Sequence, residues 1–426
     1  MRRHLRPIAL IVLLGLPSAA QGDRLTGVFG GPPAPGLLGD VAYTAAAGSG
    51  STPGDAGARL DSVIGLPPAP PLDLSRELPP PGASYVAEEV RVRSFESHSL
   101  AGTLTLPWRP AGSGPRRVRF PAVVLITGEG RHDRDQTPAE NLGRPPGEAV
   151  YRPFYEIADT LTRRGIAVLR LDDRGVGAST GSLDSADTFD RSYDIRAALE
   201  YLRHRTEIDA KRIGLVGLGE GATIASIVAR LDPGIRAIAL LAGPSETGRI
   251  SVERQRRRAI AEDATIPPGQ RDSVLAAQMA EWNVRAAMDR RMRFYATYDP
   301  LESARAVAAP VLILQGSADE VEPPESAGRL AAAFRSAGNR DVTVQVLDGL
   351  THDLLPAAPR GSEPSARQTL RLPPKVLGVI ADWLPKRLGG PSARAAERGG
   401  SAKRSAKDGS RGPRRHARRG AIVPGR

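Results

Sequence analysis

Six short apolar runs, separated by amphipathic stretches, constrain the fold of this chain more than any other feature of its sequence. The runs are AVVLIT (122–127), IAVLRLDD (166–173), RIGLVG (212–217), IRAIALLAG (235–243), APVLILQG (309–316) and DVTVQVLDG (341–349). Helices are predicted between them and after the last run, at residues 153–164, 189–205, 220–231, 324–336 and 374–383. Continuous Val, Ile and Leu runs alternating with helices are typical of a parallel sheet covered on both faces. The sequence therefore predicts a doubly wound α/β domain.

Two segments depart from this alternation. EEVRVRSF and SLAGTLTLP alternate apolar and polar residues around a polar turn near residues 97–99, which predicts an N-terminal antiparallel hairpin. Between Gly243 and Ala309 the sequence has no strand pattern, only charged helical stretches. Such an insertion is expected over the carboxyl ends of the strands, where α/β proteins place their sites. We predict a helical lid at about residues 247–298.

The first 84 residues have the composition of an exported protein's leader and spacer. Residues 1–20 combine a basic start, an apolar run from Ile8 to Leu16, and small residues at Ser18 and Ala20. This is the pattern of a cleavable secretory signal peptide, and the run is shorter than the ~20 residues that span a bilayer. Residues 21–84 are rich in Pro, Gly and Ala and are predicted to be a disordered linker. We expect a periplasmic or secreted protein whose folded domain spans residues 85–388.

The net charge of +12 lies at the two ends of the chain. Residues 389–426 carry +9 and residues 1–20 carry +3, so residues 21–388 are neutral. No specific nucleic-acid partner is therefore predicted. The tail, 389–426, is predicted to be disordered; it is either a solvated end or a segment that contacts anionic envelope surfaces. The chain has no cysteine, which excludes disulfides and thiolate chemistry.

The segment RIGLVGLGEGATIA (212–225) predicts a buried strand, a tight turn and a helix. This is the arrangement in which the pattern G-x-S-x-G presents a catalytic serine, but Gly219 occupies the serine's position. Asp319 follows the predicted strand at 309–316, and His352 follows the predicted strand at 341–349. The order along the chain is therefore elbow, acid, base, as this mechanism uses it. We predict that Gly219 marks the nucleophile position, with Asp319 orienting His352 as general base.

The loop TGEGRHDRDQ after the first parallel strand supplies the other candidates. Backbone amides of Glu129 and Gly130, with that of Glu220, are predicted to form an oxyanion hole. Asp133 and Asp135 fit no standard ligand spacing, so no metal site is predicted. Ion pairs of these two aspartates and Arg134 are expected to hold the loop.

From about residue 88 to residue 388, the sequence resembles exported bacterial α/β-hydrolase esterases related to the dienelactone-hydrolase and prolyl-oligopeptidase groups. The matching segments include SLAGTLTLP, LITGEGRHDRDQ (similar to GSGPxDRDE), YRPFYEIADTLTRRGIAVLRLDDRGVGASTG and RIGLVGLGEGATIA (similar to RIGLIGHSEGG). The resemblance implies the α/β-hydrolase fold and cofactor-free hydrolysis of small carboxylic esters by a Ser, Asp, His triad. Leu218 and Gly219 stand where that pattern has His and Ser.

The missing serine leaves three hypotheses open. No acyl-enzyme can form at Gly219, and Thr223 and Ser226 lie too far into the helix to replace a side chain whose loss costs on the order of 10⁶ in turnover. The first hypothesis is slow ester hydrolysis by a water that His352 activates in the space left by the serine. The second is a non-catalytic pseudo-hydrolase that binds an ester-like or acyl ligand.

The third hypothesis is a nucleotide-dependent oxidoreductase, because GLGEGA also fits G-x-G-x-x-A. That motif belongs in the first βαβ unit, with an acidic residue ending the next strand. Here the turn follows the third predicted parallel strand, and IRAIALLAG ends without an acid, so this hypothesis is the weakest. The sequence carries no signal for oligomeric state.

Overall fold

The computed structural model describes residues 79–95, 98–108, 119–137, 150–357 and 370–389. The predicted signal peptide (1–20), nearly all of the predicted linker (21–84) and the predicted tail (389–426), apart from Gly389, lie outside the described residues. Within the described ranges, no helix is both long enough and apolar enough to cross a membrane.

One eight-stranded sheet forms the centre of the domain. Its strands are β1 (Tyr85–Arg93), β2 (Ser99–Pro107), β3 (Phe120–Ile126), β4 (Ala167–Leu171), β5 (Ile208–Leu218), β6 (Ala237–Leu241), β7 (Val311–Gly316) and β8 (Val342–Leu347). Their spatial order is β1-β2-β4-β3-β5-β6-β7-β8. β1 pairs antiparallel with β2, and β2 with β4, whereas all pairs from β4 to β8 are parallel. The predicted mostly parallel sheet with an N-terminal hairpin is confirmed.

Helices connect these strands and cover the sheet. They are α1 (Pro153–Arg163), α2 (Thr188–His204), α3 (Glu220–Leu231), α4 (Gly248–Glu262), α5 (Arg271–Met288), α6 (Arg290–Thr297), α7 (Pro300–Ala304), α8 (Glu325–Ser336) and α9 (Pro374–Leu388). α9 runs five residues past its predicted end, through Pro385, because Leu384 and Leu388 are fully buried against the sheet. It stops at Gly389, whose backbone is left-handed.

Each face of the sheet has its own apolar core, which explains the continuous apolar runs. Val123 and Val124 are neighbours on β3 and both fully buried, yet they belong to opposite cores, as do Leu215 and Val216 on β5. Helices α2, α3 and α8 contribute to one core, and α1 and α9 to the other. A strand covered on both faces needs apolar residues at every position rather than at alternate ones.

The interval after β6 is helical. Helices α4, α5 and α6 enclose a small separate apolar cluster, made of Ile260, Leu275, Met279, Trp282, Ala286 and Ala296. Gly248 at the start of α4 contacts the ring of Tyr295 on α6 so closely that a Cβ there would lie 2.4 Å from it. These helices form one packed unit, and α6 brings Phe294 and Tyr295 into the wall of a cleft beside Glu129 and Glu220.

Candidate active site

A strained turn joins β5 to α3 at Gly219. Its backbone has φ 55° and ψ −122°, a region that residues with a side chain adopt only under strain. Around it, backbone approaches backbone directly: a Cβ at Gly217 would lie 2.1 Å from the carbonyl oxygen of Gly221. The glycines therefore set the sharp strand-to-helix angle that a nucleophile elbow requires.

Asp319 and His352 come together at the carboxyl edge of the sheet, after β7 and β8. His352 Nδ1 lies 3.0 Å from Asp319 Oδ2. The other oxygen of Asp319 accepts the backbone N–H groups of Val321 (2.9 Å) and Glu322 (2.8 Å). Gln315 Nε2 donates to Oδ2 at 2.7 Å, so the carboxylate is fixed from three sides. The structure thus places the predicted acid and base in hydrogen-bond contact and orients the imidazole.

The carboxylate of Glu129 fills the space beside Gly219 that a serine side chain would occupy. A Cβ built on Gly219 would lie 2.3 Å from Glu129 Oε2. The same oxygen lies 3.8 Å from His352 Nε2, the nitrogen that faces the nucleophile in a triad. The expectation of a water-sized space left by the missing serine is therefore wrong for this arrangement, because the Glu129 carboxylate is in that space.

His352 lies between two carboxylates, and this sets its charge. Burial lowers the pKa of His352, but the hydrogen bond that its Nδ1–H donates to Asp319 and the adjacent charge of Glu129 outweigh burial and raise the pKa well above its ordinary value. Partial desolvation in the cleft raises the pKa of Glu129, and the His352 imidazolium more than offsets this, so the pKa of Glu129 is lowered. Each of the two groups therefore favours the charged form of the other, an imidazolium beside a carboxylate.

The predicted oxyanion hole is built only in part. The backbone N–H of Glu129 is directed to its own carboxylate, which favours the charged form of that group. Gly130 has φ 95°, and Glu220 is the first residue of α3, where the N–H groups of a helix have no carbonyl partner inside the helix. The Glu220 side chain accepts from Thr188 (2.6 Å) and Arg191 (2.7 Å). The amides of Gly130 and Glu220 stay a prediction as oxyanion donors.

Glu322 is a second acidic side chain that sequence reasoning missed. It is 3% exposed, and among the described residues its Oε2 has no hydrogen-bond partner. Burial, followed by the charge of Glu129, raises the pKa of Glu322 to about 8. Its other oxygen contacts the hydroxyl of Ser251 on α4 at 3.4 Å. Glu322 therefore contacts the helical insertion through Ser251, and its carboxyl group ionises less readily than that of an ordinary glutamate.

The cleft beside the turn is narrow and partly aromatic. Its lining residues include Glu129, Thr188, Glu220, Thr223, Pro244, Glu246, Phe294, Tyr295 and Tyr298. The Glu129 side chain is 41% exposed, whereas that of His352 is 15% exposed. A molecule that enters from solvent therefore meets the Glu129 carboxylate before it meets the imidazole.

The loop carrying His132 and its neighbours is held by ion pairs, but with partners outside the loop. Arg134 Nη2 lies 2.8 Å from Asp172 Oδ2, and its Nη1 pairs with Glu89. Asp135 pairs with Arg152 and Arg170. Asp133 Oδ1 accepts the backbone N–H groups of residues 135 (2.9 Å) and 137 (2.8 Å).

Sequence reasoning predicted Gly219, Asp319 and His352 as site residues from their positions relative to the strands, but it assigned only a backbone role to Glu129. A signal for Glu129 exists only when two loops are considered together, because β3 and β5 are neighbours and their carboxyl-edge loops meet. The turn after β5 has a glycine in place of the serine, and the loop after β3 has a glutamate between two glycines. Neither Gly219 nor Glu129, taken alone, indicates that the two residues are in contact. In the loop pattern GSGPxDRDE, which residues 128–136 resemble, a serine stands at the position of Glu129.

The sequence is similar to known hydrolases. Residues 149–262 match the family model described as serine aminopeptidase, S33. The chain is 23% identical over 323 residues to esterase EstD of Thermotoga maritima, and the match covers 70% of this chain and 68% of that protein.

Two solved structures illustrate the structural likeness. A puromycin-hydrolyzing peptidase of Mycobacterium tuberculosis superposes with a TM-score of 0.50 at 17% identity, over 73% of this chain and 41% of that one. An esterase of Pyrococcus furiosus gives a TM-score of 0.47 at 15% identity, over 72% of this chain and 92% of that one. Together with the sheet order, the strained turn after β5 and the Asp319–His352 pair, the first of these likenesses shows that the chain has the α/β-hydrolase fold.

Proposed function

We propose that this protein hydrolyses small carboxylic esters at the site formed by Gly219, Asp319 and His352, without a serine nucleophile. The observation that carries the proposal is the imidazole of His352, fixed by Asp319 at 3.0 Å and facing the strained turn at Gly219. The relatedness to an esterase of Thermotoga maritima supports the choice of an ester substrate.

The substrate carbonyl is placed over the turn, with its oxygen toward the N–H groups of Gly130 and Glu220. Phe294 and Tyr295 of the helical insertion form the wall that receives the apolar part of the ester. Without a covalent intermediate, water must attack the carbonyl directly. General acid–base catalysis contributes roughly 10² to 10⁴ in rate, so turnover is expected to be far below that of a serine esterase, whose nucleophile contributes on the order of 10⁶.

The test is hydrolysis of short-chain aryl esters by the native protein, His352→Ala and the matched control His204→Ala. His204 is an exposed histidine at the end of α2, outside the site. We expect His352→Ala to reduce kcat/KM by about 10² to 10⁴ and His204→Ala to leave it unchanged. Release of acid and alcohol in equal amounts identifies the reaction.

Equal rates for native protein and His352→Ala would show that the site does not hydrolyse these esters. In that case, calorimetric binding of an ester or of its acid product by the native protein, reduced by His352→Ala, would identify a ligand-binding pseudo-hydrolase instead.

A further inference from the structure

Glu129 takes the position of the missing nucleophile relative to both of its partners. Its Oε2 lies 2.3 Å from the point where a Cβ of residue 219 would be, so the carboxylate overlaps the volume of a side chain at that position. It lies 3.8 Å from His352 Nε2. On the other side of the ring, Asp319 Oδ2 lies 3.0 Å from His352 Nδ1. The imidazole of His352 therefore lies between two carboxylates at the edge of the sheet.

The two departures at residues 129 and 219 depend on each other. A side chain at residue 219 would collide with the Glu129 carboxylate, and only glycine leaves room for it. Conversely, a smaller residue at 129 would leave His352 Nε2 without this carboxylate. A carboxylate that is 41% exposed in a cleft, rather than buried in the core, is placed to meet a water or a substrate.

Other charged and titratable groups face this pair from each surrounding element. Asp319 and Glu322 come from the loop after β7, and Asp353 from the loop after β8; Asp319 acts on the charge of His352, and the charges of Glu129 and His352 act on Glu322 and Asp353. Arg191 of α2 interacts with the charge of Glu129 as well. His132 faces Glu129 from its own loop, and the hydroxyl of Tyr295 faces it from α6.

We propose that Glu129 is the general base that activates the attacking water and that the protonated His352 is the general acid that serves the leaving alcohol. This assignment rests on the ester hydrolysis proposed above and deepens it by naming the group that replaces the serine. It differs from a serine mechanism, in which the histidine first accepts a proton.

The reaction balances without any further reactant. A water oxygen attacks the ester carbonyl carbon while a Glu129 oxygen accepts one proton of that water, giving a tetrahedral oxyanion and a neutral Glu129 carboxyl group. As the oxyanion collapses, the C–O bond to the alcohol breaks, and His352 Nε2 gives its proton to the departing oxygen. The proton on Glu129 then returns to His352 Nε2 through a solvent water, because the two atoms are 3.8 Å apart. Ester and water have become acid and alcohol, and the ion pair is restored.

This order of proton transfers has a distinct pH dependence. The active form needs Glu129 ionised and His352 protonated, so kcat/KM is constant through neutral pH. It falls as the pH rises through the raised pKa of His352, because the imidazolium loses the proton that the alcohol requires. If His352 were the base toward water, kcat/KM would rise with pH through the same pKa. The two assignments therefore predict opposite slopes.

The experiment compares native protein, Glu129→Gln and the control Glu302→Gln, using the same aryl esters from pH 5 to pH 10. Glu302 is a surface glutamate, with a side chain 59% exposed, that pairs with Arg230. We expect Glu129→Gln to reduce kcat/KM by about 10² to 10⁴ and Glu302→Gln to have no effect. The rate of His352→Ala at each pH is subtracted as background. A rate that rises with pH, or native activity in Glu129→Gln, overturns the assignment.

Two further readouts separate this inference from the proposed function. The NMR titration of His352 does not depend on turnover: its pKa should fall in Glu129→Gln, and an unchanged pKa overturns the contact. Rapid quenching with intact-protein mass spectrometry should show no acylated protein, whereas an acyl group on Glu129 would make it a nucleophile and refute the role of base.

If His352→Ala loses activity and Glu129→Gln keeps it, ester hydrolysis stands and the role of Glu129 falls. A native protein without turnover overturns both.

Discussion

Restoring a serine at residue 219 should work well only when Glu129 is also replaced. A Cβ at residue 219 would lie 2.3 Å from Glu129 Oε2 and 3.0 Å from Cδ. Because carbon atoms in contact prefer about 3.5 Å or more, the carboxylate must withdraw by about 1 Å and leave His352. The atoms displaced are the end of a flexible side chain, so Gly219→Ser is expected to fold.

The cost in stability has two sources. A side chain at φ 55°, outside the regions that such residues favour, costs about 1–3 kcal/mol. Loss of the partly exposed Glu129–His352 ion pair adds at most about 1 kcal/mol. Both Gly219→Ser and Gly219→Ser/Glu129→Ser should therefore lose about 1–4 kcal/mol of unfolding free energy in urea, from the same two principles.

Reactivity should distinguish the single from the double variant. In Gly219→Ser the displaced carboxylate still lies near the new hydroxyl, and two like charges 4 Å apart repel by about 4 kcal/mol at an effective dielectric of 20. Exposure of Glu129 to solvent weakens this repulsion of the developing oxyanion. We therefore expect Gly219→Ser/Glu129→Ser to react with a serine-directed phosphonate at least about tenfold faster than Gly219→Ser, which corresponds to about 1.4 kcal/mol.

The matched control is Gly328→Ser, because a Cβ at Gly328 on α8 meets no atom within 4 Å; it should remain unlabelled. Equal labelling of the single and double serine variants would refute the placement of Glu129 in the nucleophile's space. Labelling of neither variant would refute the assignment of Gly219 to the nucleophile position.

Three other substitutions probe the surroundings of the site. Arg134→Ala leaves the buried Asp172 without its bidentate partner and should cost about 3–5 kcal/mol, measured by urea unfolding; a loss below about 1 kcal/mol would contradict this. Gly248→Ala places a methyl group 2.4 Å from the Tyr295 ring and should loosen the helical insertion, seen as faster proteolysis between residues 248 and 297; unchanged proteolysis would argue against that packing. Glu322 has its pKa raised to about 8, so its contribution to native stability is complete below about pH 4.5 and is lost as the pH rises toward 8. The melting temperature of Glu322→Gln relative to the native protein should therefore increase from pH 5 to pH 8, and a constant difference would refute the buried position of this carboxyl group.

Much of the fold follows from local pattern. The six apolar runs correspond to β3 through β8, and four of the five predicted helices lie within one residue of the observed bounds. Helix α9 is the exception, because Pro385 is a local stop signal that the burial of Leu384 and Leu388 overrides. Propensity describes a segment by itself, whereas packing decides how far the segment continues.

The candidate site likewise depends partly on local sequence pattern and partly on tertiary packing. By itself, the sequence determined the turn at Gly219 and the positions of Asp319 and His352, because strand ends and glycines are local features and parallel strands bring their carboxyl ends to one edge. Only the tertiary structure decided that the Glu129 carboxylate lies where a side chain of residue 219 would be and raises the pKa of His352. That outcome depends on distances of a few ångströms between side chains far apart in the chain, which neither periodicity nor spacing along the sequence specifies.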